Sequence, residues 1–191
     1  MRNFFRKTVY AGLLLLAGCA APVEPRVSFP ALDFQGQPPF VLDIAEIQVV
    51  PPAGTAAGPD FPVMPRDLAL AWAASRLKTA GDSGLLTFHI REAAAAAEAL
   101  PLEDGFSGFL KQEQQERLTA RIRVTITATR PGGGEARTSA EAAITRDVPE
   151  GTDPRGREAI WFAMMQTLAA ELDSRLGAGM QTYFGAYLKN S

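Results

Sequence analysis

The sequence predicts an α+β fold: a two-layer sandwich in which a mainly antiparallel sheet carries a mid-chain helix and a long C-terminal helix on one face. Three observations predict it. Leu118, Ala120, Ile122, Val124, Ile126 and Ala128 alternate with polar residues, the period of a strand with one buried and one wet face. Pro131-Gly132-Gly133-Gly134 then supplies a turn, and Glu135–Asp147 returns with Ala136, Thr138, Ala140, Ala142 and Ile144 on one face, which makes an antiparallel hairpin. From Pro154 onward, Trp161, Met165, Leu168, Leu172 and Leu176 recur at the three-four spacing of an amphipathic helix.

Taken in order, the elements read as β-α-β-(β)-β-β-α. Val41–Val50 predicts a first strand whose alternation is interrupted by Asp43 and Glu46, so its faces stay unassigned. Pro65–Ala80 predicts a helix, with Pro65 suited to the first turn and Gly81 to the stop. Leu70, Ala74 and Leu77 define one side of it, with Leu68 and Trp72 beside them. Gly84–Glu92 predicts a strand with Leu86, Phe88 and Ile90 on one face and Thr87, His89 and Arg91 on the other. The alanine-rich residues 93–100 fit either a β-continuation or a helical turn. Ala140 and Ala142 are small enough to let a helix approach the hairpin closely.

In the last helix, Asp153 is placed to cap and Pro154 to occupy the first turn. Gly177 and Gly179 predict a kink or break, because glycine is a poor helix former. Beyond them Met180, Tyr183 and Tyr187 continue the stripe, and Ile160, Met164, Phe184 and Leu188 widen it. That end reads either as core or as a surface that meets a partner.

The N-terminus carries an address. Arg2, Arg6 and Lys7 precede the apolar run Val9–Leu16, and Leu16-Ala17-Gly18-Cys19 follows at once. A charged head, a short apolar core and small residues before a cut site make a secretory signal. The apolar run is about half of the roughly 20 residues a spanning helix needs. The last four residues resemble the lipobox of bacterial lipoproteins. That resemblance implies cleavage before Cys19 and lipidation of its thiol, with palmitate among the acyl chains and the membrane as the first partner. Two or more acyl chains give stable anchoring where one does not. The expected organisation is a lipoprotein signal peptide at 1–18, lipidated Cys19 with a proline-rich tether to residue 40, and a single α+β domain at 41–191. Ala20 and Ala21 bear on the membrane: by the sorting rule of enteric lipoproteins, the lack of an acid after the cysteine implies the outer membrane, facing the periplasm.

Removing the signal leaves 16 Lys and Arg against 21 acids, net −5. A mildly acidic body does not favour nucleic acid or an anionic lipid surface by long-range attraction. Arg121 with Arg123 fits the wet side of a strand, and Arg155 with Arg157 the first turn of a helix. Cys19 is the one cysteine, which excludes an internal disulfide. The proline-rich stretch 20–40 reads as an extended linker. Residues 51–65 form a second irregular stretch, a candidate for function or mobility.

Chemistry is sparse. His89 is the one histidine, so any Ser-His-Asp triad must use it, and it falls on the wet face of its strand. A zinc site would have to combine it with carboxylates alone. Gly105-Phe106-Ser107-Gly108 lacks the spacing of a nucleophile elbow, and the glycines at 132–134 have no following Lys-Ser/Thr. Asp43 with Glu46 and Glu103 with Asp104 are the close acid pairs, and two acids of unknown separation make no glycosidase. No catalytic residue, metal or cofactor is expected. The loop 100–109 is apolar at Leu102, Phe106 and Phe109, with Leu110 following, and suits a rim for an apolar ligand or a partner protein. The candidate contacts are therefore Phe106, Phe109, Tyr183, Phe184 and Tyr187.

The element order, the string Ala71-Trp72-Ala-Ala-Ser-Arg-Leu77, the long hairpin and the final amphipathic helix resemble the auxiliary lipoproteins of bacterial lipid-transport ABC systems. In outline the order is also similar to other small two-layer envelope lipoproteins, such as the lipopolysaccharide-assembly lipoprotein. Phe61-Pro-Val-Met-Pro65 and Arg76-Leu-Lys-Thr-Ala-Gly81 are similar to strings in uncharacterised lipoproteins of alphaproteobacteria. The resemblance covers most of residues 40–188. It implies a non-enzymatic accessory or binding component with an envelope protein as partner. The alternatives are a module for lipid or small hydrophobes, which needs an apolar cavity between sheet and helices, and an envelope hydrolase, which needs His89 and an acid in one pocket.

Overall fold

The computed structural model describes residues 29–34, 36–53, 61–100 and 114–189. Among the described residues, six strands and two helices follow in the order β1 (Phe40–Leu42), β2 (Glu46–Val50), α1 (Pro65–Arg76), β3 (Leu77–Thr79), β4 (Leu85–Ala99), β5 (Gln114–Thr129), β6 (Ala136–Pro149) and α2 (Pro154–Tyr183). The main sheet has the order β2-β4-β5-β6, with β2 parallel to β4 and the other pairs antiparallel. Both helices lie on one face of it, so the α+β two-layer arrangement is as expected.

The expected first strand is two strands in two sheets. β1 pairs with β3 in a small parallel sheet, while β2 joins the main one. The break falls at Asp43, whose carboxylate meets Arg130 at 3.2 Å and Lys189 at 3.4 Å. Leu42 and Ile44, on either side, are fully buried. The interrupted alternation therefore marks a corner that turns a charge outward between two core residues.

α1 ends at Arg76, four residues short of the expected end at Ala80, because Leu77–Thr79 is drawn into pairing with Phe40–Leu42. Gly81 has another use. A Cβ there would sit 2.5 Å from the carbonyl carbon of Asp43, so only glycine admits the passing backbone. The face of α1 also differs from the expected one. Leu68, Ala69, Trp72, Ala73 and Arg76 are buried, whereas Ala74 is exposed and Leu70 half-buried. Trp72 stacks on Phe88 of β4 with ring centres 5.6 Å apart.

β4 takes in the alanine run as strand. A bulge between Ile90 and Glu92 shifts the register, so that Ala93, Ala95 and Ala97 oppose Ile122, Ala120 and Leu118 on the buried face. β5 and β6 pair from Gln114–Pro149 to Ala128–Ala136. Leu118, Ala120, Ile122, Val124, Ile126 and Ala128 are all fully buried, as their alternation predicts.

α2 packs chiefly on β6, over the small Ala140 and Ala142. Trp161, Met165, Leu168, Leu172, Leu176 and Met180 are fully buried. Asp153 caps its start, its carboxylate accepting from the Gly156 N–H at 2.6 Å. The expected break at Gly177 and Gly179 does not occur, and one helix runs through both. A Cβ on Gly177 would meet the Phe40 ring at an ordinary contact of 3.9 Å, and one on Gly179 would collide with the Thr138 side chain. Burial of the stripe against the sheet outweighs a propensity cost of about 1 kcal/mol per glycine. After α2 the chain folds back beside β1, with the backbone N–H of Asp43 donating to the Tyr187 carbonyl at 2.7 Å and that of Lys189 to the Val41 carbonyl at 2.9 Å.

Candidate functional site

The N-terminal segment is built onto the helix layer. Phe29 stacks on Phe162 of α2, ring centres 4.7 Å apart and planes 19° from parallel. Leu32, Asp33, Phe34, Gly36 and Gln37 then line an open groove of about 320 Å³ with Gln166, Ala169, Ala170 and Asp173 of α2. Phe34 is buried. Phe162, Gln166, Ala169 and Asp173 recur at helical spacing, one stripe round from the residues that face the sheet. The described residues 29–34 and 36–39 thus form a strap along the second stripe, and that part of the expected tether lies against the domain.

The strap is locked at its far end by a buried polar cluster. The Asp173 carboxylate accepts from Trp72 Nε1 at 2.8 Å and from Arg76 Nε at 2.9 Å. Arg76 also donates to the Pro38 carbonyl, and its guanidinium lies 4.7 Å from the centre of the Phe40 ring. Arg76 is 5% exposed. A charge this buried persists only with partners, and here it ties α1, α2 and the strap together.

A second groove, of about 490 Å³, opens at the end of the sandwich where β4 ends and α2 begins. Ala99, Glu116, Val148, Thr152, Pro154, Arg157 and Glu158 line it. Arg157 donates to both Glu116 oxygens, at 2.6 and 2.9 Å, and its guanidinium covers the Phe61 ring at 4.7 Å. The hydrogen bond it donates to Glu116 holds the Arg157 guanidinium above its ordinary pKa. Both charges are thereby satisfied within the protein. Phe61 in turn stacks on Trp161 at 3.8 Å, and the Trp161 Nε1 donates to the Val63 carbonyl at 2.7 Å. The described end of the irregular stretch 51–65 is pinned in this way.

The opposite face of the sheet is wet and charged. Arg117 pairs with Asp147 at 2.7 Å, Arg123 with Glu141 at 3.1 Å and with Glu92 at 3.5 Å. These hydrogen bonds hold the Asp147 and Glu141 carboxyls below their ordinary values. His89 lies on this face, opposite Thr125. Burial, and then the Arg91 charge, lower its pKa. A depressed imidazole means that the unfolded chain binds the proton more readily, so this group costs stability as pH falls below 6.5. Its charged neighbour is a cation, whereas the imidazole of a triad is oriented by an acid. Among the described residues, no three His, Cys, Asp or Glu side chains are grouped to hold a metal.

The expected contact residues divide. Phe184 is fully buried and Tyr187 is 3% exposed, its hydroxyl donating to the Gly134 carbonyl, so both belong to the core. Tyr183 is 62% exposed at the end of α2. Cys19, Phe106 and Phe109 lie outside the described residues, as do Glu103 and Asp104. Sequence reasoning missed the Trp72–Arg76–Asp173 cluster and the strap. The available signal was the offset set Phe162, Gln166, Ala169 and Asp173, masked by the stronger stripe beside it. Among the described residues, no helix is long and apolar enough to cross a membrane.

No protein-family model matches the chain, and no curated protein does either. Among solved structures, the chain is similar to the rare lipoprotein B of Shewanella oneidensis at 9% identity, over 72% of this chain and 96% of that one, with a TM-score of 0.39. It is similar to an uncharacterised lipoprotein B of Nitrosomonas europaea at 14% identity, over 81% and 96%, with a TM-score of 0.38. A minor lipoprotein of Acinetobacter baumannii matches at 11% identity, over 76% and 96%, with a TM-score of 0.35. At these scores the likeness is one of general outline.

Proposed function

We propose that this chain is a non-enzymatic lipoprotein of the bacterial cell envelope, held at a membrane by lipid on Cys19 and acting as an accessory or binding component in lipid transport or envelope assembly. The observation that carries the reading is Leu16-Ala17-Gly18-Cys19 placed directly behind a charged head and a short apolar run. Ala20 and Ala21 favour the outer membrane, facing the periplasm.

Metabolic labelling with an alkyne palmitate analogue tests the anchor. The wild-type protein takes the label and fractionates with membranes, and Cys19→Ala does neither. An unlabelled wild type, or equal labelling of Cys19→Ala, overturns the reading.

A further inference from the structure

The strap gives the domain a direction. It enters beside Phe162, near the start of α2, passes Gln166 to Asp173, and reaches Gly177 at Phe40. It therefore runs along α2 from the N-terminal end toward the C-terminal end. The same N-terminal end collects the last residue of β4, the first turn of α2 and the β6–α2 turn, since Ala99, Val148, Thr152, Pro154 and Arg157 line one groove. The opposite end holds the β5–β6 turn and Tyr183: Gly179 packs on Thr138 and Tyr187 bonds to Gly134.

Nine residues lie between Cys19 and Phe29, ten steps along the chain. Fully extended, those steps reach about 35 Å. From Phe162 the start of α2 is about 12 Å away and Tyr183 about 32 Å. The near end lies well within that reach. To bring the far end to the bilayer, the chain would have to double back nearly taut along the strap.

We propose that the docked strap sets the sandwich end-on to the lipid bilayer, with the start of α2 and the β6–α2 turn facing the headgroups and the Tyr183 end projecting away. The proposal rests on the lipid anchor at Cys19 proposed above. The occupant of the near end is the headgroup layer itself. Glu150 and Asp153 in that turn are exposed acids, so tether geometry rather than charge attraction holds it there.

Mature acylated protein in phosphatidylcholine vesicles doped with a nickel-chelating lipid provides the test. Acylation occupies Cys19, so an introduced cysteine is the single free thiol for a spin label. Labels at Glu150→Cys, Glu135→Cys and Tyr183→Cys report proximity to headgroup nickel. With the ends separated by about 45 Å of helix, relaxation enhancement at Glu150→Cys should exceed that at the other two at least about threefold, with no dependence on salt. Equal enhancement, or the reverse order, overturns the orientation while leaving the anchor standing. Absence of the acyl mass on Cys19 overturns the anchor, and the orientation with it. Phe162→Ala, which removes the ring beneath Phe29, should shrink the difference between the two ends. An unchanged difference overturns the strap as its cause.

Discussion

Two stripes of α2 carry different tasks. Trp161, Met165, Leu168, Leu172, Leu176 and Met180 face the sheet and are large, apolar and fully buried. Phe162, Gln166, Ala169 and Asp173 face the strap and mix one ring, one methyl and two polar groups. The first stripe gains stability from apolar area removed from water. The second gains position, through one ring stack and one buried ion pair that fix where the N-terminal segment runs. A helix can thus build a fold on one side and route a tether on the next.

The comparison can be broken from either side. Leu168→Ala opens a hole beneath the sheet and should cost about 2–5 kcal/mol, read from the urea midpoint at unchanged slope. A loss no larger than that of a surface substitution would end the distinction. Asp173→Ala strips the buried Arg76 and the Trp72 Nε1 of their acceptor and should cost about 3 kcal/mol. A neutral result would mean that the cluster does not hold the strap. Phe162→Ala should lower global stability by about 1 kcal/mol or less, because the strap releases locally, while chymotrypsin cleavage after the buried Phe34 accelerates. Unaltered cleavage with a large global loss would place Phe162 in the main core instead.

Much of the sheet-facing half was legible in the sequence. The period-two run in β5, the glycine turn and the cap at Asp153 are local signals, and each has a local cause. What escaped depends on residues distant in the chain. The end of α1 at Arg76 follows from pairing with Phe40–Leu42, and the unbroken passage through Gly177 and Gly179 from burial of the stripe against the sheet. The bulge at Arg91 changes the face of the alanine run that follows it, where such a shift changes no residue type. Tyr187 fits either core or a contact surface on sequence alone, because nothing local shows that Gly134 accepts its hydroxyl. The strap was read as linker because prolines exclude helix and ladder, yet they leave an extended chain free to lie in a groove.

Docking of the strap is the claim on which both the anchor geometry and the contrast between the stripes depend. Aromatic side-chain NMR of the acylated protein tests it most directly. With the rings of Phe29 and Phe162 stacked at 4.7 Å, nuclear Overhauser contacts between their ring protons should be strong, and the Phe29 shifts displaced from those of an unstructured chain. Unstructured-chain shifts for Phe29, with no contact to Phe162, would contradict it.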